Sequence, residues 1–159
     1  MKKILAAILA LGLLFTGCGS DDSTPPKKHI EAKQLEQLVG LTKGAMFMGA
    51  EDVVSVNIEI DDANTMVIMT MVLKSDTGKE KALFLGDSLI RLFSINAVKA
   101  GLDVTMPTED NYGSLFDEWN IYLGIAPENA VNDDSKWYYH YVITRGQHTK
   151  QGPSNPRWR

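Results

Sequence analysis

The chain holds a single cysteine, Cys18, so no intramolecular disulfide can staple the fold and the core must hold by packing alone. Basic residues are outnumbered by acids, 16 to 20, for a formal charge of −4. A net acidic chain is poorly matched to nucleic acid, whose binding leans on neutralising phosphates with Lys and Arg. Histidine occurs only at 29, 140 and 148. No close series of oxygen ligands of the Asp-x-Asp-x-Asp-Gly kind is present, so neither a metal centre nor a bound cofactor is expected. The one long apolar run, Ile4 to Phe15, would make a helix of roughly 18 Å, well short of the roughly 30 Å hydrocarbon core of a bilayer.

What surrounds that run gives it a meaning. Lys2 and Lys3 precede it and the small residues Thr16 and Gly17 follow it, the three-part layout of a cleaved secretory signal. The string Leu14-Phe15-Thr16-Gly17-Cys18 resembles the lipobox of bacterial lipoproteins, with Phe15 where that family prefers leucine and Leu14 one step earlier. The resemblance implies a diacylglyceryl thioether on the Cys18 sulfur, cleavage before Cys18, and usually acylation of the new amino terminus by palmitate or a similar chain. Several acyl chains, at about 0.8 kcal/mol per buried methylene, make such an anchor effectively permanent. Gly19 rather than Asp follows the cysteine, which in this family implies the periplasmic face of the outer membrane in a Gram-negative host. In a host with one membrane its outer face takes that place.

The expected organisation is a signal peptide over 1–17, a lipidated cysteine with a tether over 18–29, one domain over 30–145 and a basic tail over 146–159. Polar residues and Pro25-Pro26 keep the tether from burying surface. Leu35, Leu38 and Val39 at helical spacing predict a short helix from Ile30 to Val39, with Gly40 as its stop. Val54, Val56, Ile58 and Ile60 alternate with Ser55, Asn57 and Glu59, which predicts a strand with one wet face. A turn at Asp61–Asn64 leads into a second, more central strand from Thr65 to Leu73. Thr77 and Glu80 fit a capping box. Behind them Ala82, Leu85, Leu89, Leu92, Phe93 and Ala97 predict about 20 residues of helix ending at Gly101, with Asp87, Arg91 and Ser94 on a solvated stripe. Two further strands are expected over Trp119–Ile125 and Lys136–Thr144. The fold class is therefore α+β: an antiparallel sheet of about four strands carrying one long helix and a short N-terminal one.

Gly86-Asp87-Ser88-Leu89, preceded by Ala82–Leu85, resembles the first block of the GDSL, or SGNH, esterases and lipases. That resemblance would make Ser88 a nucleophile ending a strand, served by an oxyanion hole and by the histidine of a late Asp-x-x-His. No histidine here has Asp three residues before it, and Gly-x-Asn-Asp has only the near miss Ala130-Val131-Asn132-Asp133. The helical spacing also puts Ser88 mid-helix, where no nucleophile elbow forms. Met46, Met48, Met66, Met69 and Met71 are read as core filler rather than soft copper ligands, since alternation sends Met66 to the strand face opposite Met69 and Met71. Trp137, Tyr139, Tyr141 and Ile143 are placed on one face of the last strand and Tyr138, His140 and Val142 on the other, a stripe suited to a sugar or peptide but also to packing. From Asp103 to Asp134 there are eight acids and no Lys or Arg, read as a solvated face able to dock a basic partner or the tail's own Arg145, Lys150, Arg157 and Arg159.

Strand hairpin, helix, Val104-Thr105, then Asp110-Asn111-Tyr112-Gly113 before a further strand resembles small uncharacterised domains of bacterial and phage-encoded secreted proteins over Val53 to about Ile125. No catalytic residue transfers with that likeness. The expectation is a non-catalytic envelope module that binds a membrane through Cys18 and an envelope protein, peptide or glycan through its surface. A Ser88 esterase is one alternative. A phage-type exclusion lipoprotein, which a plating assay would reveal, is another.

Overall fold

The computed structural model describes residues 29–147. The signal and lipobox with Cys18, the tether up to residue 28, and the tail from His148 onward lie outside the described residues. The elements are α1 (Ala32–Gly49), β1 (Val53–Asp61), β2 (Met66–Leu73), α2 (Lys79–Lys99), β3 (Asn120–Pro127) and β4 (Tyr139–Ile143), with short 3-10 turns at Ser114–Asp117, Glu128–Ala130 and Asp134–Lys136. The fold is α+β, with four strands in the order β1-β2-β3-β4.

The sheet is mixed rather than wholly antiparallel. β1 with β2 and β3 with β4 are antiparallel, but β2 and β3 run parallel in the centre. Two parallel neighbours require a crossover between them, and α2 is that crossover. One sheet face is buried: Val56 and Ile58 of β1, Val67, Met69, Met71 and Leu73 of β2, Ile121, Leu123 and Ile125 of β3, and Tyr139 and Ile143 of β4 join a single apolar cluster with both helices.

Several local expectations need correction. Gly40 does not stop the first helix, which runs 18 residues to Gly49. Glycine costs a helix interior about 1 kcal/mol, and burial of Leu35, Leu38, Thr42 and Met46 along one stripe outweighs that. Val54 is 45 % exposed because a bulge between Val53 and Ser55 resets the phase of β1, so Val53 and Val56 share the buried side. The N-cap of α2 is Gly78, one residue after the expected Thr77. Thr77 is buried with its hydroxyl unpartnered. The last strand is shorter than expected, because Asp134–Lys136 forms a 3-10 turn.

Around Gly40 and Gly44 an added methyl group would meet nothing within 4 Å. Gly40→Ala and Gly44→Ala should therefore each stabilise the domain by about 0.5–1 kcal/mol through helix propensity alone. Thermal melts of the single variants and the pair check this, and a loss in either would mean that the exposed side of α1 is covered.

Candidate functional site

The esterase-like string sits inside α2, and each of its residues is engaged in packing or hydrogen bonding. Gly86 faces β3, where a Cβ would stand 2.5 Å from Ile125 Cδ1 and 3.1 Å from Leu123 Cδ2. Ser88 Oγ donates back to the Phe84 carbonyl at 2.8 Å, a bond available to any mid-helix serine. Leu89 is fully buried. Asp87 accepts from Arg91 Nε at 2.8 Å and from the Tyr112 hydroxyl at 2.9 Å.

The stripe expected to be solvated is thereby covered. The segment after α2 folds onto it: Arg91 donates to the carbonyls of Thr108 and Glu109, and its guanidinium lies 5.2 Å from the centre of the Tyr112 ring. Ser94 is buried, its hydroxyl turned to the Ile90 carbonyl. Gly113, at φ +87°, holds the turn where a side chain would collide with the Thr105 carbonyl. Thr105 and Ser114 exchange backbone-to-hydroxyl bonds at 2.9 and 3.0 Å. Polarity marks residues that need partners but cannot say whether water or a loop supplies them, so the pattern alone could not show this covering.

Three carboxylates of the acidic stretch, Glu118, Glu128 and Asp133, are engaged by other described residues. Glu118 accepts from the Ile30 backbone at 3.1 Å and contacts His29 Nδ1 at 3.0 Å, while the Trp119 indole donates to the Ile30 carbonyl at 3.3 Å. Glu128 accepts from the Ser75 backbone, and Asp133 pairs with Lys136. Met46, Met69 and Met71 lie in the core, Met66 is half-buried on the other sheet face and Met48 is exposed. No group of three or more His, Cys, Asp or Glu placed to hold a metal ion occurs among the described residues.

Two surfaces remain. At the end of α1 an open cleft of about 530 Å³ is lined by Phe47, Met48, Phe84 and the Asp52–Lys81 ion pair. The Lys81 ammonium holds the Asp52 carboxyl below its ordinary range. The other is the sheet face turned away from the helices. There Asn57, Thr70, Gly124 and His140 form one row across all four strands, and Glu59, Ile68, Tyr122 and Val142 the next. Trp137 belongs to this face rather than with Tyr139, since its ring lies against Gly124, where a Cβ would stand 2.6 Å from Cζ3. Its indole donates to the Val131 carbonyl at 3.1 Å. The expected aromatic stripe is thus split, with Tyr139 and Ile143 in the core and Tyr141 packed against it.

No protein family, curated protein or solved structure matches the chain. No helix among the described residues is long and apolar enough to cross a membrane.

Ser88→Ala should leave stability within about 0.5 kcal/mol of the parent, because it removes only a local back-bond. Leu89→Ala should cost about 2–5 kcal/mol. Denaturant melts of both distinguish a structural string from a site held under strain.

Burial, then the Asp87 carboxylate beside it, holds the Tyr112 hydroxyl protonated well above its ordinary value near 10. An unfolded chain would release that proton at the ordinary value, so the stabilisation is complete below about pH 10 and declines as pH climbs above it. Tyr112→Phe should cost about 1.5–3 kcal/mol at neutral pH, by loss of a bond to a charged acceptor, and should flatten the alkaline decline. Burial also raises Tyr138 and Tyr139, so some slope should persist. Urea melts across that pH range read both effects.

Proposed function

We propose that this chain is an exported lipoprotein, held at an envelope membrane by lipid on Cys18, and that its domain is a non-catalytic interaction module for an envelope protein, peptide or glycan. The lipobox-like string at Leu14–Cys18 supports the anchor. Gly19 favours the periplasmic face of the outer membrane where the host has one. The module reading is carried by one observation: neither helix packs on the sheet face opposite α1 and α2, where the β3–β4 connection covers part of β3 through Trp137 on Gly124 and half-buried apolar side chains such as Ile68 and Val72 lie beside it. A broad, partly apolar face is how binding surfaces differ from ordinary solvated ones. Catalysis through Ser88 has less support, because the Asp87 beside it is held by Arg91 and Tyr112.

Feeding cells a clickable palmitate analogue should label the wild-type chain and not Cys18→Ala, and equal labelling of the two would end the anchor reading. Turnover of p-nitrophenyl esters that vanished in Ser88→Ala would replace the module with an esterase.

A further inference from the structure

The open sheet face differs from the rest of the domain in how its polar groups are used. Under the helices and the loop that follows α2, Asn96 donates to Thr42 at 3.0 Å and Asp87 is held by Arg91 and Tyr112, although the buried Thr77 hydroxyl has no partner. On the open face Asn120 donates to the Thr65 carbonyl and accepts from the Arg145 backbone, but the side chains of Asn57, Thr70, Tyr122 and His140 make no hydrogen bond to another described residue. Asn57 and His140 are exposed, and Thr70 and Tyr122 half-exposed. These are neutral donors and acceptors: Asn57 stands beside Thr70 at about the 4.8 Å strand spacing, His140 lies in the same row on the far side of Gly124, and Tyr122 is in the next row.

Beside them stand two aromatic rings. Trp137 lies against Gly124, with Tyr122 Cε1 at 3.3 Å from where a Gly124 Cβ would be. Glycine is what allows the indole to come down onto the strand, and the bond from its N–H to Val131 fixes the ring in place. A preorganised aromatic surface bordered by unengaged neutral hydrogen-bonding groups matches a ligand that is apolar on its faces and hydroxylated at its rim.

Charge narrows the occupant further. None of the positions that the four strands turn to this face is Lys or Arg, while Glu59 and Asp61 lie on β1. At these strand positions phosphorylated, sulfated or nucleic-acid ligands would meet no Lys or Arg and two carboxylates, Glu59 and Asp61.

We propose that this face is a saccharide-binding platform, on which an uncharged glycan chain stacks against Trp137 and Tyr122 while Asn57, Thr70 and His140 bond its hydroxyl or amide groups. The proposal rests on reading the domain as an interaction module and names the class of its ligand.

The test is calorimetric titration of the full-length lipidated protein, in a detergent without a sugar headgroup, with chitohexaose, cellohexaose, maltohexaose and dextran, and with heparin and hexalysine as charged comparisons. At least one neutral sugar should bind with a Kd below about 1 mM, and heparin should not bind. Asn57→Ala and His140→Ala change exposed positions and should each weaken that binding by about fivefold to tenfold, the scale of one hydrogen bond. Gly124→Ala should weaken it at least as much by lifting the Trp137 ring, and circular dichroism confirms that each variant is folded. Absence of binding to all four neutral sugars overturns the proposal, as does sugar binding that Asn57→Ala, His140→Ala and Gly124→Ala all leave intact. Binding of hexalysine without any sugar assigns the face to a basic protein segment and also overturns it. A chain that carries lipid on Cys18 but binds no sugar refutes the platform alone, whereas loss of labelling specificity refutes the anchor and leaves the platform standing.

Discussion

The closeness of α2 to β3 at Gly86 sets the height of everything stacked on the sheet. Because β2 and β3 are parallel neighbours, the chain must cross from the end of one to the start of the other, and α2 makes that crossing over the sheet's inner face. Without a Cβ at Gly86 the helix sits directly on Ile125 and Leu123. Leu89, Ile90 and Phe93 are then fully buried, at about 1.5–3 kcal/mol for each such side chain taken from water. A helix held this low leaves a shelf on its outer side. The segment from Leu102 to Trp119 occupies that shelf and sends Tyr112, Leu115, Phe116 and Trp119 into the same core. On the flank, α1 docks through the Asn96–Thr42 bond.

That arrangement gives each residue of the four-residue string resembling a catalytic block a structural role. In a helix lodged between sheet, partner helix and loop, small size at 86, a paired carboxylate at 87, a self-satisfied hydroxyl at 88 and an apolar side chain at 89 are what the four surroundings require. Asp87 and Arg91 answer one another across one helical turn, and the remaining guanidinium donors meet loop carbonyls rather than carboxylates. A fork of fixed donors suits that task, since it can tie two consecutive carbonyls at once.

Much of the architecture is legible as periodicity. The alternation from Val56 to Leu73, the four-residue steps of α2 and the aromatic and β-branched content of β3 and β4 each lead to the element observed. What escapes such reading depends on contacts between distant segments. Direction in the sheet is one case: the spacing of apolar residues in β3 is the same whether it joins β2 parallel or antiparallel. Gly40 is another, because its local cost is visible in sequence while the burial of Met46 beyond it is a tertiary fact. Trp137 is the most instructive. Period-two counting puts it with Tyr139, but the strand begins only at Tyr139 and the 3-10 turn before it swings the indole to the opposite face. The open-face row therefore could not be assembled from sequence, since three of its members are brought beside one another only by strand pairing.

The two ends of the described chain meet at one place, which bears on how the open face is presented. Ile30 is fixed to Glu118 and Trp119, and the Gly146 backbone donates to the Phe116 carbonyl at 2.9 Å. Both attachments fall on the short run that leads into β3. From there α1 extends 18 residues, about 27 Å at the helical rise, to the exposed Phe47 and Met48. Residue 29 therefore stands at the Glu118 end of the domain, with the Phe47–Phe84 cleft at the far end of α1. The sheet face belongs to neither end. Its rows run across the strands, with the Trp137 ring standing on Gly124 between Thr70 and His140. The glycan proposed for this face would lie across those rows, meeting Asn57 and Thr70 on one side of the Trp137 ring and His140 on the other.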